Sequence, residues 1–172
     1  MKRYILTLII AVFALMQAAA QTYDNLWKQA DIIARKDQPR SEIGVMKKII
    51  SKASAAKDYG QLLAAEMRQM ILWKEISADS LTPNVERMEA EVLKVKDPAL
   101  KAVRYAVLGK VYSDMDEKKS EEFFKKAMEQ PELLAKHTST EYVPLTLKGV
   151  DGSSFNNDLL HLIGFEADSK EA

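Results

Sequence analysis

The amino-acid sequence predicts an all-α protein of antiparallel helix pairs behind a cleavable N-terminal signal. Three observations carry this. Apolar residues recur at helical spacing through nearly all of the chain after Tyr23. Pro39, Pro83, Pro98 and Pro131 stand where such runs begin, the helix position at which the N–H missing from proline is not needed. Only Tyr142–Leu147 alternates in the manner of a strand.

At the start of the chain, Lys2 and Arg3 precede an apolar run from Tyr4 to Met16, and Ala18, Ala19 and Ala20 end it. A charged start, a short apolar stretch and an A-x-A end make a secretory signal. The run falls short of the roughly 20 residues a membrane-spanning helix needs. Residues 1–20 are therefore expected to be cleaved and residues 21–172 exported. The destination in a Gram-negative host is the periplasm, or beyond it the outer membrane or the medium. No Cys stands near the cleavage point to carry a lipid.

Six helices follow in order. The first, near 23–36, carries Leu26, Ala30 and Ile33 on one face. The second, near 39–57, carries Ile43, Met46, Ile50 and Ala53. The third, near 59–76, carries Leu63, Met67, Met70 and Trp73. The fourth is expected near 83–96, with Thr82 as N-cap and Val85, Met88, Val92 and Val95 inward. Asp97 caps the fifth, near 98–114, with Leu100, Val103, Val107 and Val111 inward. The sixth, near 118–129, turns Phe124, Ala127 and Met128 inward. Each stripe keeps the i, i+3, i+4, i+7 spacing of one buried face.

Short connections make consecutive helices antiparallel neighbours. Taken in pairs the helices begin near 23, 59 and 98, a loose period of about 36–39 residues that suggests a degenerate tetratricopeptide-like array. The third pair fits best: Leu108-Gly109-Lys110-Val111-Tyr112 supplies L-G-x2-Y, and Ser120, Phe124, Ala127 and Pro131 supply its small–aromatic–small tail and closing proline. Gly109 is expected to make room for the neighbouring helix. This helix-pair domain spans 21–130, and 131–172 forms an extension packing on it. The extension begins with a short helical turn at Pro131–Lys136, followed by a turn at Lys148–Gly152. Phe155, Leu159, Leu162 and Ile163 then form a last stripe, with Gly164 as the expected helix C-cap and Phe165 as its apolar contact.

Composition limits the chemistry. Across 172 residues, 25 Lys+Arg balance 25 Asp+Glu, which gives no electrostatic drive toward nucleic acid or an anionic membrane. Without Cys there is no disulfide, thiol nucleophile, Cys-built zinc site or iron–sulfur cluster. Ser54-Ala55-Ala56-Lys57 spells S-x-x-K, but the S-D-N and K-T-G partners of that nucleophile are missing, and it reads as a helix end. Asp114-Met-Asp116-Glu117 starts like a calcium loop but has Lys119 and Lys125 where Gly and Glu are required, so it reads as a solvated loop. Asp151–Ser154 reads as a turn and N-cap. His137 and His161 lie 24 positions apart, too few ligands for zinc, and His161 pairs with Asp158 along a helix. Trp27 and Trp73 read as packing residues, and Glu121–Lys125 and Glu122–Lys126 as i, i+4 surface pairs. No catalytic, cofactor-binding or metal-ligating residue is assigned, and no cofactor or enzymatic activity is expected.

Five stretches in fixed order, Tyr23–Lys28, Asp58–Leu63, Ala78–Leu81, Asp97–Val103 and Phe155–Phe165, cover the chain from about Tyr23 to Ala167. Together they resemble the N-terminal helical region of the large alpha-2-macroglobulin-like proteins of Bacteroidetes. Such proteins are exported and entrap proteases through a bait region, collapsing β-sandwich domains and, in some, a Cys–Gln thioester. This chain has no Cys, no bait segment and no room for those domains, so no functional residue of the family carries over. The resemblance implies a leading helical module whose partners are downstream macroglobulin domains or another protein. A stand-alone periplasmic scaffold that binds protein on its helix pairs is the alternative expectation.

Overall fold

The computed structural model describes residues 23–146 and 158–168. The expected signal, the turn at 148–152, Ser153, Ser154 and Phe155 lie outside them. Within them the chain is helical throughout, and its only strand-type pairing is an isolated antiparallel bridge between Thr138 and Asp158. Helix α1 covers residues 23–34. Then come α2 (Pro39–Ala56), α3 (Tyr59–Ile76), α4 (Ala78–Val92), α5 (Pro98–Tyr112), α6 (Glu117–Ala127), α7 (Pro131–Leu134), a 3-10 turn (Ser139–Tyr142) and α8 (Leu159–Asp168). No helix among the described residues is long and apolar enough to cross a membrane.

Local chemistry sets most boundaries. Pro39, Pro98 and Pro131 each sit in the first turn of a helix. Asp58, Asp97 and Asp116 cap α3, α5 and α6, accepting from the backbone N–H of Gln61, Leu100 and Lys119 at 3.2, 2.7 and 3.1 Å. Lys57, left-handed at φ 56°, ends α2, and its N–H reaches back to the last carbonyls of the helix. The two-residue connection Lys57–Asp58 folds α3 back on α2, and these two helices pack as closely as α5 and α6 do.

The fourth helix departs from expectation. It starts at Ala78 rather than Pro83, has Ser77 rather than Thr82 at its N-cap position with no side-chain capping bond, and carries Pro83 inside. Proline at that point removes the bond to the Asp79 carbonyl, but both residues are exposed, so water can take the freed group. Asn84 Nδ2 also donates to the Ser80 carbonyl at 2.9 Å, adding a bond in the same turn. The helix stops at Val92, which leaves Val95 half-buried beyond its end.

Three apolar clusters form the interior. The first gathers Tyr23 and Ala30 of α1 with Ile43, Met46, Ile49 and Ala53 of α2 and Leu62, Ala65 and Leu72 of α3. The second joins Leu63, Leu100, Val103, Phe124 and Ala127 to Leu134, Tyr142, Leu159 and Ile163, so the C-terminal segments cover α3, α5 and α6. The third holds α4 through Leu81, Val85, Met88 and Val92 against Met70, Val107, Leu108 and Phe123. Because α3 and α5 face neighbours on more than one side, they bury more than the single stripe their spacing suggests.

The segment Tyr142–Leu147, which alternates in the manner of a strand, instead begins on the last residue of the 3-10 turn and continues in further turns to residue 146, with Leu147 outside the described residues. Thr138 and Glu141 form a capping box there, which satisfies the local N–H groups better than an unpaired strand edge could. Gly164 is not a C-cap. It lies inside α8 with no positive φ, where a helix tolerates glycine at about 1 kcal/mol.

Candidate functional site

The most integrated feature is a junction at the start of α3, where four chain segments meet. Gly60 lies so close to the turn after the 3-10 helix that a Cβ there would stand 2.1 Å from the Val143 carbonyl oxygen. Only glycine permits that approach. Next to it, Gln61 Oε1 accepts from the Trp27 indole Nε1 at 2.7 Å, which ties α1 to α3. Tyr59 packs between the first and second clusters. Burial, and then the charge of Asp58, raises the Tyr23 hydroxyl above its usual range, and among the described residues this buried oxygen has no hydrogen-bond partner. Burial pushes the Tyr142 hydroxyl up to about 12, with Asp97, Glu141 and Tyr59 adding to it. The junction is therefore aromatic and tightly fitted, and the hydroxyls of Tyr23 and Tyr142 stay protonated near neutral pH.

Three polar contacts fasten the other helices. Arg68 Nε donates to the buried Glu42 at 2.7 Å between α3 and α2. Arg104 donates to Glu66 at 3.3 Å between α5 and α3, with both side chains buried and Arg104 Nε without a partner among the described residues. Desolvation raises the Glu66 carboxyl, partly offset by Arg104. On the outside, Tyr112 donates to Glu89, and Lys119 reaches Glu89 at 3.3 Å and lies 4.7 Å from the Tyr112 ring centre, which links α4, α5 and α6. Each pair spans two helices, as groups that fix helix orientation do. A small surface groove of about 160 Å³ lies between the start of α5 and the end of α6, bordered by Pro98, Lys101, Tyr105 and Lys126.

The residues singled out from sequence fall as follows. Ser54 and Lys57 are both exposed at the end of α2. Asp114 pairs with Lys74 at 2.8 Å, and Asp116 caps α6, so the calcium-like stretch is the α5–α6 loop. His161 pairs with Asp158 at 2.7 Å, as its spacing suggests. His137 pairs with Glu141 at 2.9 Å. The Thr138–Asp158 bridge, with the Leu159 N–H donating to the His137 carbonyl at 3.0 Å, brings the two histidine segments side by side. Among the described residues no group of three His, Cys, Asp or Glu is placed to hold a metal ion. Trp27 and Trp73 both pack on the interior, and the Trp73 indole N–H is buried without a partner among the described residues. The Glu122–Lys126 pair forms at 2.6 Å. Asp151–Ser154 lies outside the described residues.

Sequence reasoning missed the Glu66–Arg104 pair and the role of Gly60. A Glu and a Gln inside the apolar run of α3, and an Arg between Val103 and Val107, were the available signals for the first. Compared with known protein families, curated proteins and solved structures, the chain matches none.

Proposed function

We propose that the chain is an exported, non-catalytic helical module that supports or docks a larger alpha-2-macroglobulin-like protease inhibitor. One observation supports this most. Four of the five stretches that carry the resemblance meet in space: Trp27 bonds to Gln61, Asp97 lies near Tyr142, which packs behind Gly60, and Leu159 and Ile163 share a cluster with Leu63, Leu100 and Val103. Stretches held in order and spacing by the joint they build together are what an architectural module requires. The tetratricopeptide-like character draws support from the third pair. There Phe124 fills the space Gly109 leaves open, and a Cβ on that glycine would come within 2.7 Å of the ring. Ser120 Oγ also donates to the Gly109 carbonyl at 2.7 Å. Export rests on the pattern of residues 1–20.

The test is to pass a periplasmic extract of the source organism over immobilised 21–172 chain. Specific recovery of a macroglobulin-type protein is the expected result. Recovery of a different defined partner favours the stand-alone scaffold, and recovery of none counts against any docking role.

A further inference from the structure

The outer face of α2 carries several cations and no exposed carboxylate. Its exposed residues include Arg40, Lys47 and Lys48, with Lys57 at its end, and the one carboxylate of the helix, Glu42, is buried and committed to Arg68. No ion-pair partner serves these four cations among the described residues. On α6, by contrast, the exposed Lys118 and Lys125 share the surface with the exposed carboxylates Glu117, Glu121 and Glu122, and Lys119 and Lys126 reach Glu89 and Glu122.

This arrangement works against the helix itself. Arg40 lies in the first turn, where a cation opposes the helix dipole. Lys48 and Lys52 stand at i, i+4, where like charges repel. Lys52 is drawn aside over the Tyr23 ring at 5.1 Å. Between the cations the face is low: Gly44 has nothing within 4 Å of a built Cβ, and Ser51, Ser54 and Ala55 are small and exposed. Arg40 and Lys47 are one heptad apart, roughly 10 Å along the axis at 1.5 Å per residue, so the positive groups flank a shallow strip that another backbone can approach.

Resting on the reading above that the module works by binding protein, we infer that the outer face of α2 is its docking surface and that the occupant is an acidic protein segment. Charge complementarity selects the sign. A lipid surface fits poorly, since none of the exposed large apolar residues, Ile32, Ile71, Leu93, Met115 and Val143, lies on α2 to enter a bilayer. Nucleic acid fits poorly as well, because a chain of zero net charge lacks the long-range field that draws a polyanion.

A photo-crosslinking amino acid placed at Gly44 on α2, and separately at Glu121 on α6, tests this in the full chain expressed in its source organism. An adduct at position 44 should map to a protein segment rich in Asp and Glu. It should fall at least tenfold in K47E/K48E and stay unchanged in K118E/K125E, with circular dichroism confirming helix content in both. An adduct at 44 with lipid, nucleic acid or a non-acidic segment overturns the inference. Adducts only at 121 also overturn it while leaving the docking role intact. No protein adduct at either position, together with an empty recovery from periplasm, removes the docking role itself.

Discussion

Among the described glycines, replacing Gly60 by alanine should be the most damaging change, because the atoms its Cβ meets are backbone. The added Cβ would stand 2.1 Å from the Val143 carbonyl oxygen and 2.6 Å from the Tyr142 carbonyl carbon. Comfortable contact needs about 3.5 Å, so the turn must retreat by roughly 1 Å or more. Both sides are backbone, and neither can rotate away. On one side is the first turn of α3, fixed by the Asp58 cap. On the other is the 3-10 turn, anchored by Tyr142, which is only 5% exposed. Overpacking of this kind costs about 1–3 kcal/mol, and partial withdrawal of Tyr142 from its cluster adds about 1 kcal/mol. The expected loss is about 3 kcal/mol. Gly44→Ala is the control, since it meets nothing within 4 Å on an exposed helix face and should gain about 0.5–1 kcal/mol. Urea unfolding followed by circular dichroism reads both. With m near ~2 kcal/mol/M, Gly60→Ala should lower the midpoint by about 1.5 M and Gly44→Ala should raise it slightly. A Gly60→Ala midpoint within about 0.2 M of the parent would refute the close approach on which the junction rests.

Further outcomes follow from the same packing. Phe124→Ala should cost about 3–5 kcal/mol in urea unfolding, because it empties the space beside Gly109; a loss below ~1 kcal/mol would mean the ring is not a core residue. Gly164→Ala should stabilise by about 0.5–1 kcal/mol, since among the described residues its Cβ would meet only Met128 Cε at an ordinary 3.7 Å and the residue lies inside a helix. Arg104→Met alone should destabilise by about 3–5 kcal/mol by leaving Glu66 buried without its counterion, whereas E66M/R104M should return near or above the parent; a double variant no better than the single contradicts this. The raised Glu66 carboxyl also fixes a sign. The folded state holds that proton more tightly than the unfolded one, so the Glu66 contribution is most favourable below its ordinary value of 4.5 and declines as pH rises through the folded value. Subtracting the stability–pH curve of Glu66→Gln from that of the parent should expose this decline, and a difference that rises with pH would refute it.

Much of the helical order was legible because periodicity reports burial directly. Leu26, Ala30 and Ile33, or Ile43, Met46 and Ala53, form inward faces in the structure as their spacing indicates. The reading failed where one residue type serves two purposes. Pro83 resembles a helix opener, yet on a solvent-facing turn it is carried inside α4. Gly164 resembles a cap, yet docking of α8 through Leu159 and Ile163 carries the helix past it. Glu66 and Arg104 were hidden for another reason. Pattern counting sends charges outward, and only the three-dimensional neighbourhood of α3 and α5 shows both of them closed in. The junction was legible only as separate fragments. Nothing in the sequence near Gly60 reveals that residues 142 and 143 come to lie against it, more than eighty positions later.

The inhibitor reading stands or falls most directly on the DNA downstream of codon 172 in the source genome. Sequencing that region through any frame break should reveal macroglobulin-type β-sandwich domains, in frame or just beyond the break. Their absence would contradict the link to a protease inhibitor and leave a helical scaffold whose partner must be found on its own surface.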